Sequence, residues 1–561
     1  MKKTACPKKR LQRHPKFLLK PLTLTISLLF LGTAPTAVHA DAGVTDLGWL
    51  GPIDDPYAYS IAYGVNSAGD VVVGFSIPVG SSGTHAFRWT QTTGMTDLGT
   101  LQANNTGNSV AYDVNAAGNV VVGDTFYSGA SAHAFRWTQA SGMSDLGTLA
   151  SDKTTGASVA YGVNAAGDVV VGQAYNGTTN QAFRWTSANG MQSIEAWLTA
   201  NGVTVNAAAP KTSIAYGVNA AGDVVVGRLA NNHAFIATTK GSTTESQTTK
   251  GLLDLVENQK SLAGASGTPS HAIQDASLVM HGAHGSPMRG LLTAGKQDFW
   301  LAGDWGQREN QGNAGNLGAG EIGYARGVGD QVMVKLALGR TYSKQDTVFG
   351  GNTRVDGTYI MPEIIAKLSG TPLYATFSAY YNWSDTEVTR GYDNAGTREY
   401  GRGSADVNTA AVRARLDWLD AITAGKTSFT PYASVTDTRS RVGAYRETGG
   451  AFPASWNSRT EHSTESRLGL DAVHRVGDQL NVLGRLEGVH QFNNTGAAAS
   501  GDVAGLYGFS LPGQTYKRDW LRAAIGFEGK MGAGTGTLML NASTQSDATT
   551  YWVAASYRMA F

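Results

Sequence analysis

Histidine is the side chain here with the widest chemical scope, and its placement is regular. His85, His133 and His233 each open a short apolar segment: His85-Ala86-Phe87-Arg88-Trp89, His133 to Trp137, and His233-Ala234-Phe235-Ile236-Ala237. In a fourth copy, Gln181 to Trp185, glutamine stands in the histidine's place. Three imidazoles on a repeat can form a ring of metal ligands or a polar binding mouth. They can also be a strand-entry residue that recurs because the strand recurs. Gln181 and the lack of a Cys or second His at ligand spacing favour the second reading. Arg88, Arg136 and Arg184 are expected to stack or pair between repeats rather than bind an anion, since Ile236 replaces the fourth. Asp70, Asp168 and Asp223, with Asn119 as the fourth member, follow a turn glycine. They read as turn acceptors and not calcium ligands, because no dense Asp run accompanies them. Neither a Gly-x-Ser-x-Gly elbow nor a His-Glu-x-x-His pair occurs. No catalytic, cofactor-binding or metal residue is therefore assigned, and the chain is not read as an enzyme.

The elements that position these residues are repeats. Tyr63-Gly64-Val65-Asn66-Ser67-Ala68-Gly69-Asp70-Val71-Val72-Val73-Gly74 returns as Tyr112 to Gly123, Tyr161 to Gly172 and Tyr216 to Gly227, with the asparagines 49, 49 and 55 residues apart. Asn-x-Ala-Gly between apolar runs specifies a tight hairpin, because Asn caps its own turn and Gly accepts a positive φ. Val-Val-Val reads as a buried strand, Ala-Phe-Arg-Trp as the next, and Met95 to Leu101 (again at Met143 to Leu149, degenerate at Met191 to Trp197) as the last. Four short strands per period of about 50 predict a four-bladed β-propeller, with a β-solenoid as the alternative. Thr45-Asp46-Leu47-Gly48-Trp49-Leu50 is a spare copy of the fourth strand, expected to complete the last blade and close the ring. These repeats, over about Thr45 to Ala237, resemble the HAF extracellular repeats, a resemblance that implies no shared activity.

The formal charge of +1 hides an uneven distribution. The first forty residues hold eight Lys/Arg and no acid, which leaves 36 basic and 43 acidic residues in the rest, a net of −7. That gives no electrostatic case for a nucleic-acid partner. The basic stretch Lys2 to Lys20, the short apolar run Leu22 to Leu31 and the small residues of Val38-His39-Ala40 read as a signal peptide (residues 1–40), cut between Ala40 and Asp41. The single Cys6 precedes the apolar run, so the mature chain is expected to be cysteine-free.

After the repeats (residues 41–237) comes a polar linker, 238–268, with Gly251 to Glu257 regaining apolar character as a displaced fourth strand or a helix start. Pro269 then opens a short helix within a junction at 269–297. His271, Asp275, His281 and His284 form the densest His/Asp group of the chain. A metal site is one reading, and a helix and loop lodged in a polar lumen is the commoner one. From Asp298 to Phe561 alternation dominates, with about twelve strands. Leu468, Leu470 and Ala472 oppose Arg467, Asp471 and Arg475; Leu480, Val482 and Leu486 oppose Asn481, Arg485 and Glu487; Leu521, Ala523, Ile525 and Phe527 oppose Arg522, Glu528 and Lys530. Valines and leucines around Lys335 do the same. A charge on a lipid face costs roughly 2–4 kcal/mol near the midplane, so the charged faces must line a lumen. Tyr380, Tyr381, Trp383 and Trp552 are expected in interfacial girdles. In the last strand Tyr551, Val553, Ala555, Tyr557, Met559 and Phe561 share one face.

Signal peptide, repetitive β passenger, linker, pore helix and a barrel ending in Phe resemble the autotransporters of type V secretion. His281 to Met288 and Asp298 to Gly306 are similar to the junction into such barrels. The resemblance implies an outer-membrane protein that displays its passenger at the cell surface. Its partners would be outer-membrane lipid, export machinery, and barrel-assembly machinery that reads Tyr557, Met559 and Phe561. The exposed repeats are expected to act in adhesion or surface binding, to a host protein or glycan, because repeat surfaces favour recognition through many weak contacts, with a displayed hydrolase as the alternative. The lack of an Asn-Asn pair between Leu252 and Gln297 predicts that the passenger stays attached.

Overall fold

The structure is a computed structural model that describes residues 43–51, 58–80, 83–128, 131–240, 249–285, 290–310, 313–546 and 548–561. Ala40, Asp41 and the rest of the expected signal peptide lie outside these residues. The chain separates into Met1–Leu47 and Gly48–Phe561, and every described strand and helix belongs to the second unit. No described helix is long and apolar enough to cross a membrane.

Each repeat folds into a four-stranded antiparallel sheet. The first runs Ser60–Val65, Val71–Ser76, His85–Thr90, Gly94–Asp97. The second runs Ser109–Val114, Val120–Ser128, Ser131–Thr138, Gly142–Asp145. The third comprises Ser158–Val163, Val169–Tyr175, Asn180–Thr186 and Gly190–Ser193, followed by helix α1 (Ile194–Ala200). The fourth comprises Thr212–Val218, Val224–Leu229, Ala234–Thr238 and Gly251–Asp254. The valine triplets work on both faces. Val120 and Val122 pack with Val163, Val170 and Phe183 of the next sheet, while Val121 packs with Val71 and Val73 of the preceding one. The glycine that ends each triplet lies beneath a bulge in the first strand. A Cβ on Gly123 would fall 1.8 Å from the Val110 carbonyl oxygen.

The sheets stack in series and do not form the expected ring. A tyrosine ladder marks the axis: Tyr63, Tyr112, Tyr161 and Tyr216 follow at centroid spacings of 5.5, 5.4 and 5.5 Å. It ends with Tyr63 52% and Tyr216 51% exposed, so nothing among the described residues joins the last sheet to the first. The reason is that Gly251–Asp254 already fills the fourth strand of the last sheet, paired with Phe235 to Thr238. This strand lies inside the stretch expected to be linker. The spare copy at residues 45–50 is not a strand. Its Gly48 carbonyl accepts from Ser60 Oγ at 2.7 Å, as the Gly99 carbonyl accepts from Ser109 and that of Gly147 from Ser158. Gly48 thus takes the place of a preceding repeat's loop glycine at the start of the stack.

The barrel is a closed antiparallel sheet of twelve long strands, joined by the short Ile422–Ala424. It runs from Gln297–Asn310 through Asn313–Gly327, Val332–Asp346, Asn352–Lys367, Leu373–Asn394, Thr397–Trp418, Thr427–Val442, Arg459–Arg475, Leu480–Gln491, Asp519–Met531 and Gly534–Ser543 to Thr550–Ala560. First and last strands pair from Asp298↔Ala560 to Gln307↔Tyr551, and Gln297 and Phe561 exchange backbone bonds of 3.1 and 2.9 Å. Alternation sorts the side chains as expected. Leu468 (71%) and Ile525 (61%) face outward, while Glu487 (0%) and Asp471 (1%) face the lumen. Two girdle expectations are corrected by this parity. Tyr381 and Trp383 point outward, but Tyr380 lies one position out of step and packs inside with Met280. Trp552 likewise faces in, beneath the Arg522 guanidinium at 4.9 Å.

The repeated asparagines provide a test of how the stack coheres. Asn115 Oδ1 accepts from the Asn119 and Val120 amides, and its Nδ2 reaches the Ala165 carbonyl of the next repeat at 3.4 Å. Asn219, in the last repeat, closes only its own turn through Asp223 and Val224. Asn115→Ala is expected to cost about 1–3 kcal/mol, by leaving buried partners unpaired, and Asn219→Ala less. Hydrogen exchange at the Val120 and Val224 amides measures the difference.

Candidate functional site: the occupied pore

The repeated polar residues prove to be joints of the stack. His85 Nδ1 lies 2.8 Å from Asp97, His133 3.0 Å from Asp145 and His233 2.7 Å from Asp254, each pinning the third strand to the fourth. Where Gln181 replaces His, Glu195 replaces Asp and accepts the amide at 2.7 Å. Burial opposes the charge on Asp97, but its bonds to His85 and the Gly99 amide win and hold its carboxyl below the usual value. Arg88 and Arg136 donate to the Gly118 and Gly167 carbonyls of the following repeat at 2.9 and 3.0 Å, and Arg184 does the same to Gly222. Ile236 has no following repeat to reach, and packs instead against an apolar cap that includes Leu262 and Phe452. Asp70, Asn119, Asp168 and Asp223 each accept from the asparagine of their own turn. Among the described residues no group of three or more His, Cys, Asp or Glu side chains is placed to hold a metal ion.

The site with consequences for function is the barrel lumen. Helix α2 (Leu255–Ala265) follows the last strand of the stack, and helix α3 (Thr268–His281) follows it into the barrel. Pro269 in the first turn of α3 suits a position whose N–H needs no partner. The helix is rich in small and polar residues, which lets barrel side chains close around it. Ser270 Oγ donates to Glu461 at 2.9 Å, and Asp275 accepts from Ser343 at 2.6 Å. Ser277 accepts from Arg467 at 2.9 Å.

The carboxy-terminal end of α3 presents carbonyls without helical partners, the negative end of its dipole. Three arginines meet it. Arg413 donates to the Met280 carbonyl, Arg522 to that of His281 at 2.6 Å, and Arg485 to that of Gly285 at 2.7 Å. On the other side of the chain, Asp304 accepts from the Ala283 amide at 2.8 Å.

The group His271, Asp275, His281 and His284 does not converge. His271 is buried in the first turn of α3, and Asp275 turns to Ser343. His281 Nε2 lies 3.2 Å from Glu465. His284 bridges Glu321 at 2.7 Å and Glu363 at 3.6 Å. Asp275, His281 and His284 meet different strands of the barrel, so these side chains act as anchors of the inserted chain.

The barrel's own charges form a continuous network around the insert. Glu363 accepts from Lys335 (2.8 Å), Arg413 (2.9 Å) and Ser378 (2.7 Å). Asp471 pairs with Arg485 at 2.7 Å, and Glu487 with Arg467 at 3.2 Å and Arg522 at 3.0 Å. The alternation of charge with Leu or Val pointed to Lys335, Arg467, Asp471, Arg485, Glu487 and Arg522 from sequence. It missed Asp304, Glu321, Glu363, Arg413, Arg415 and Glu465, each of which has a small, polar or Pro residue on at least one side (Gly303, Gly320, Pro362, Ala414, Thr464 and Ser466) that interrupts the run of outward apolar side chains. A small outward residue beside a charge breaks the strict alternation by which the other lumen charges are read, even where the residue on its other side is apolar, as Trp305, Ile322, Ile364, Val412 and Leu416 are.

Residues 299–543 match the family model of the autotransporter β-domain. The match lies within the barrel and covers less than half of the chain. The barrel is similar to the translocator domain of the autotransporter NalP from Neisseria meningitidis, with 17% identity over 53% of this chain and 98% of that one and a TM-score of 0.43. The β domain of the Bordetella autotransporter BrkA shares 14% identity over 47% of this chain and 98% of its own, with a TM-score of 0.34. The transport unit of AIDA-I from Escherichia coli shares 10% over 52% and 97%, with a TM-score of 0.30. No curated protein matches the chain.

The lumen of this β-domain offers a sharp test of the charge network. Glu363→Gln leaves Lys335 and Arg413 buried beside a neutral partner, and is expected to cost about 3–5 kcal/mol. Asp356→Asn breaks a pair with Arg354 at the surface and should cost less than about 1 kcal/mol. The temperature at which the barrel loses its folded mobility on a gel reads out both.

Proposed function

We propose that this protein is an outer-membrane autotransporter whose barrel carries its own repeat stack to the cell surface and holds it there for adhesion. One observation carries the reading: the chain itself fills the pore between the two parts. Gln297 and Phe561 lie at the end of the short turns, such as Gly327–Val332 and Met531–Gly534. The stack sits at the opposite end, beside the Asn394–Thr397 turn of the longest hairpin. α3 connects the two ends through the lumen. An even-stranded outer-membrane barrel keeps its short turns on the periplasmic side, so the stack belongs outside. Tyr557 and Met559 lie opposite Leu301 and Phe299 on the closing strand, and Phe561 is exposed at its end. These residues suit recognition by assembly machinery before the barrel closes. The adhesive role rests on a repeated, cysteine-free surface whose joints are internal, leaving outward residues free to engage a host protein or glycan through many weak contacts.

Accessibility on whole cells tests the placement. An epitope inserted after Gly80 is expected to be detected on intact cells, and one after Gly425 only once the outer membrane is permeabilised. The opposite pattern overturns the reading. For the adhesive role, labelled full-length protein in detergent is expected to give saturable signal on glycan or host-protein arrays. Turnover of esterase, glycosidase or protease substrates without such binding would assign the stack to a displayed hydrolase instead.

A further inference from the structure

The fourth sheet of the stack is made from two sides. Three strands, Thr212–Val218, Val224–Leu229 and Ala234–Thr238, belong to the repeat itself. The fourth, Gly251–Asp254, comes after residues 241–248 and is fastened to the barrel. The Leu252 amide donates to Asn394 Oδ1 at 3.1 Å, and the Leu252 carbonyl accepts from the Ala395 amide at 2.9 Å. Asn394 Nδ2 donates to the Lys250 carbonyl at 3.2 Å. The fit is close: a Cβ on Gly251 would fall 1.8 Å from Asn394 Oδ1.

The strand runs straight into α2, which is held just as firmly. Asp254 caps α2 through the Val256 and Glu257 amides. Ser261 donates to the Gly391 carbonyl at 2.6 Å. Arg390, on the barrel's longest hairpin, donates to Asn258 Oδ1 at 3.0 Å and pairs with Glu447 at 2.9 Å, with both side chains of that pair fully buried. Barrel loops add a small sheet, Tyr445–Arg446, Ala454–Trp456, Ala499–Val503 and Tyr507–Leu511. With Leu262 of α2 this sheet covers Ile236 and Leu253, the face on which a fifth repeat would have packed.

On the repeat side, the contacts to this strand do not need the chain between them. Phe235 to Thr238 pair with it along its length, and His233 Nδ1 lies 2.7 Å from Asp254. Leu252 and Ala395 enter one apolar cluster with Trp197, Val203 and Val225. The Asn206 amide donates to the Ala395 carbonyl at 2.8 Å.

We infer that Gly251–Asp254 is a barrel-borne strand that retains the repeat stack non-covalently, so that a chain cut between Lys240 and Thr249 keeps its stack at the pore. The inference rests on the proposed display at the cell surface for its purpose, since a surface protein meets proteases. Its structural content stands apart from that reading and is tested away from cells.

A protease recognition sequence is inserted between Thr244 and Glu245 of the full chain. The protein is purified folded in detergent, cut, and passed over a sizing column. Stack and barrel are expected to co-elute after complete cleavage and to separate only on denaturation. Prompt elution of the stack alone overturns the inference, while epitope accessibility on cells judges the autotransporter reading separately. Leu252→Asp in the same protein is expected to speed loss of the stack after cleavage by at least about tenfold. Asn394→Ala, which removes its two bonds to this strand and one to Glu399 but no apolar contact, is the milder companion should Leu252→Asp fail to fold. If both variants hold the stack as the parent does, the strand is not the joint.

Discussion

In hydrocarbon every backbone N–H and C=O must find a partner within the protein, because water is not there to supply one. The pairing of Gln297–Asn310 with Thr550–Ala560 meets that demand by removing the last open edge. Once the sheet is closed, strand parity decides the rest. Leu468, Ile525 and Phe527 face outward, and Arg467, Asp471, Arg485, Glu487 and Arg522 are forced into one narrow lumen. Those charges are stable only if each is paired or hydrogen-bonded. The inserted chain contributes to that. The terminal carbonyls of α3 accept from Arg413 and Arg522 and the Gly285 carbonyl just beyond it from Arg485, while His281 and His284 lie against Glu465, Glu321 and Glu363. Barrel and insert therefore depend on each other: the helix end needs cations, and the cations need acceptors.

A stack of sheets faces a different problem, since its two end faces have no neighbour. This chain meets it with two unlike caps. At the start, the loop around Gly48 imitates a preceding repeat down to the Ser60 hydrogen bond. At the other end, α2 and the loop sheet cover Ile236 and Leu253 with apolar side chains. The replacement of the repeated arginine by Ile236 follows from that change of neighbour, because an arginine there would face no turn carbonyl. The same contacts join the stack to the barrel, so the capping of the stack and its junction with the barrel are one set of interactions.

Much of this is legible in sequence, because short-range rules govern it. Period-2 alternation marks twelve strands and their lumen faces. The Asn-x-Ala-Gly turns mark the hairpins, and Pro269 marks the pore helix. Asp97 and Asp145 stand twelve residues after His85 and His133, and the pair changes jointly to Gln181 and Glu195. That pattern is the clamp, but composition does not identify it as one, since a strand-to-strand pair uses the same residue types as a ligand pair.

What the sequence determined by itself was the local content: repeats with their turns, alternating strands, the helix start, and a closing strand with Phe561 at its end. Only the tertiary structure decided which strand completes which sheet. Residues 45–50 and 251–254 were both candidates for the last sheet, and composition does not separate them. The choice fell to Gly251–Asp254 because Asn394, Ala395 and α2 hold it in place, contacts that span more than a hundred residues of chain. An open stack instead of a ring, and Tyr380 and Trp552 inside the barrel instead of at its girdle, follow from the same limit. Periodicity states which residues share a face, and only packing states what that face meets.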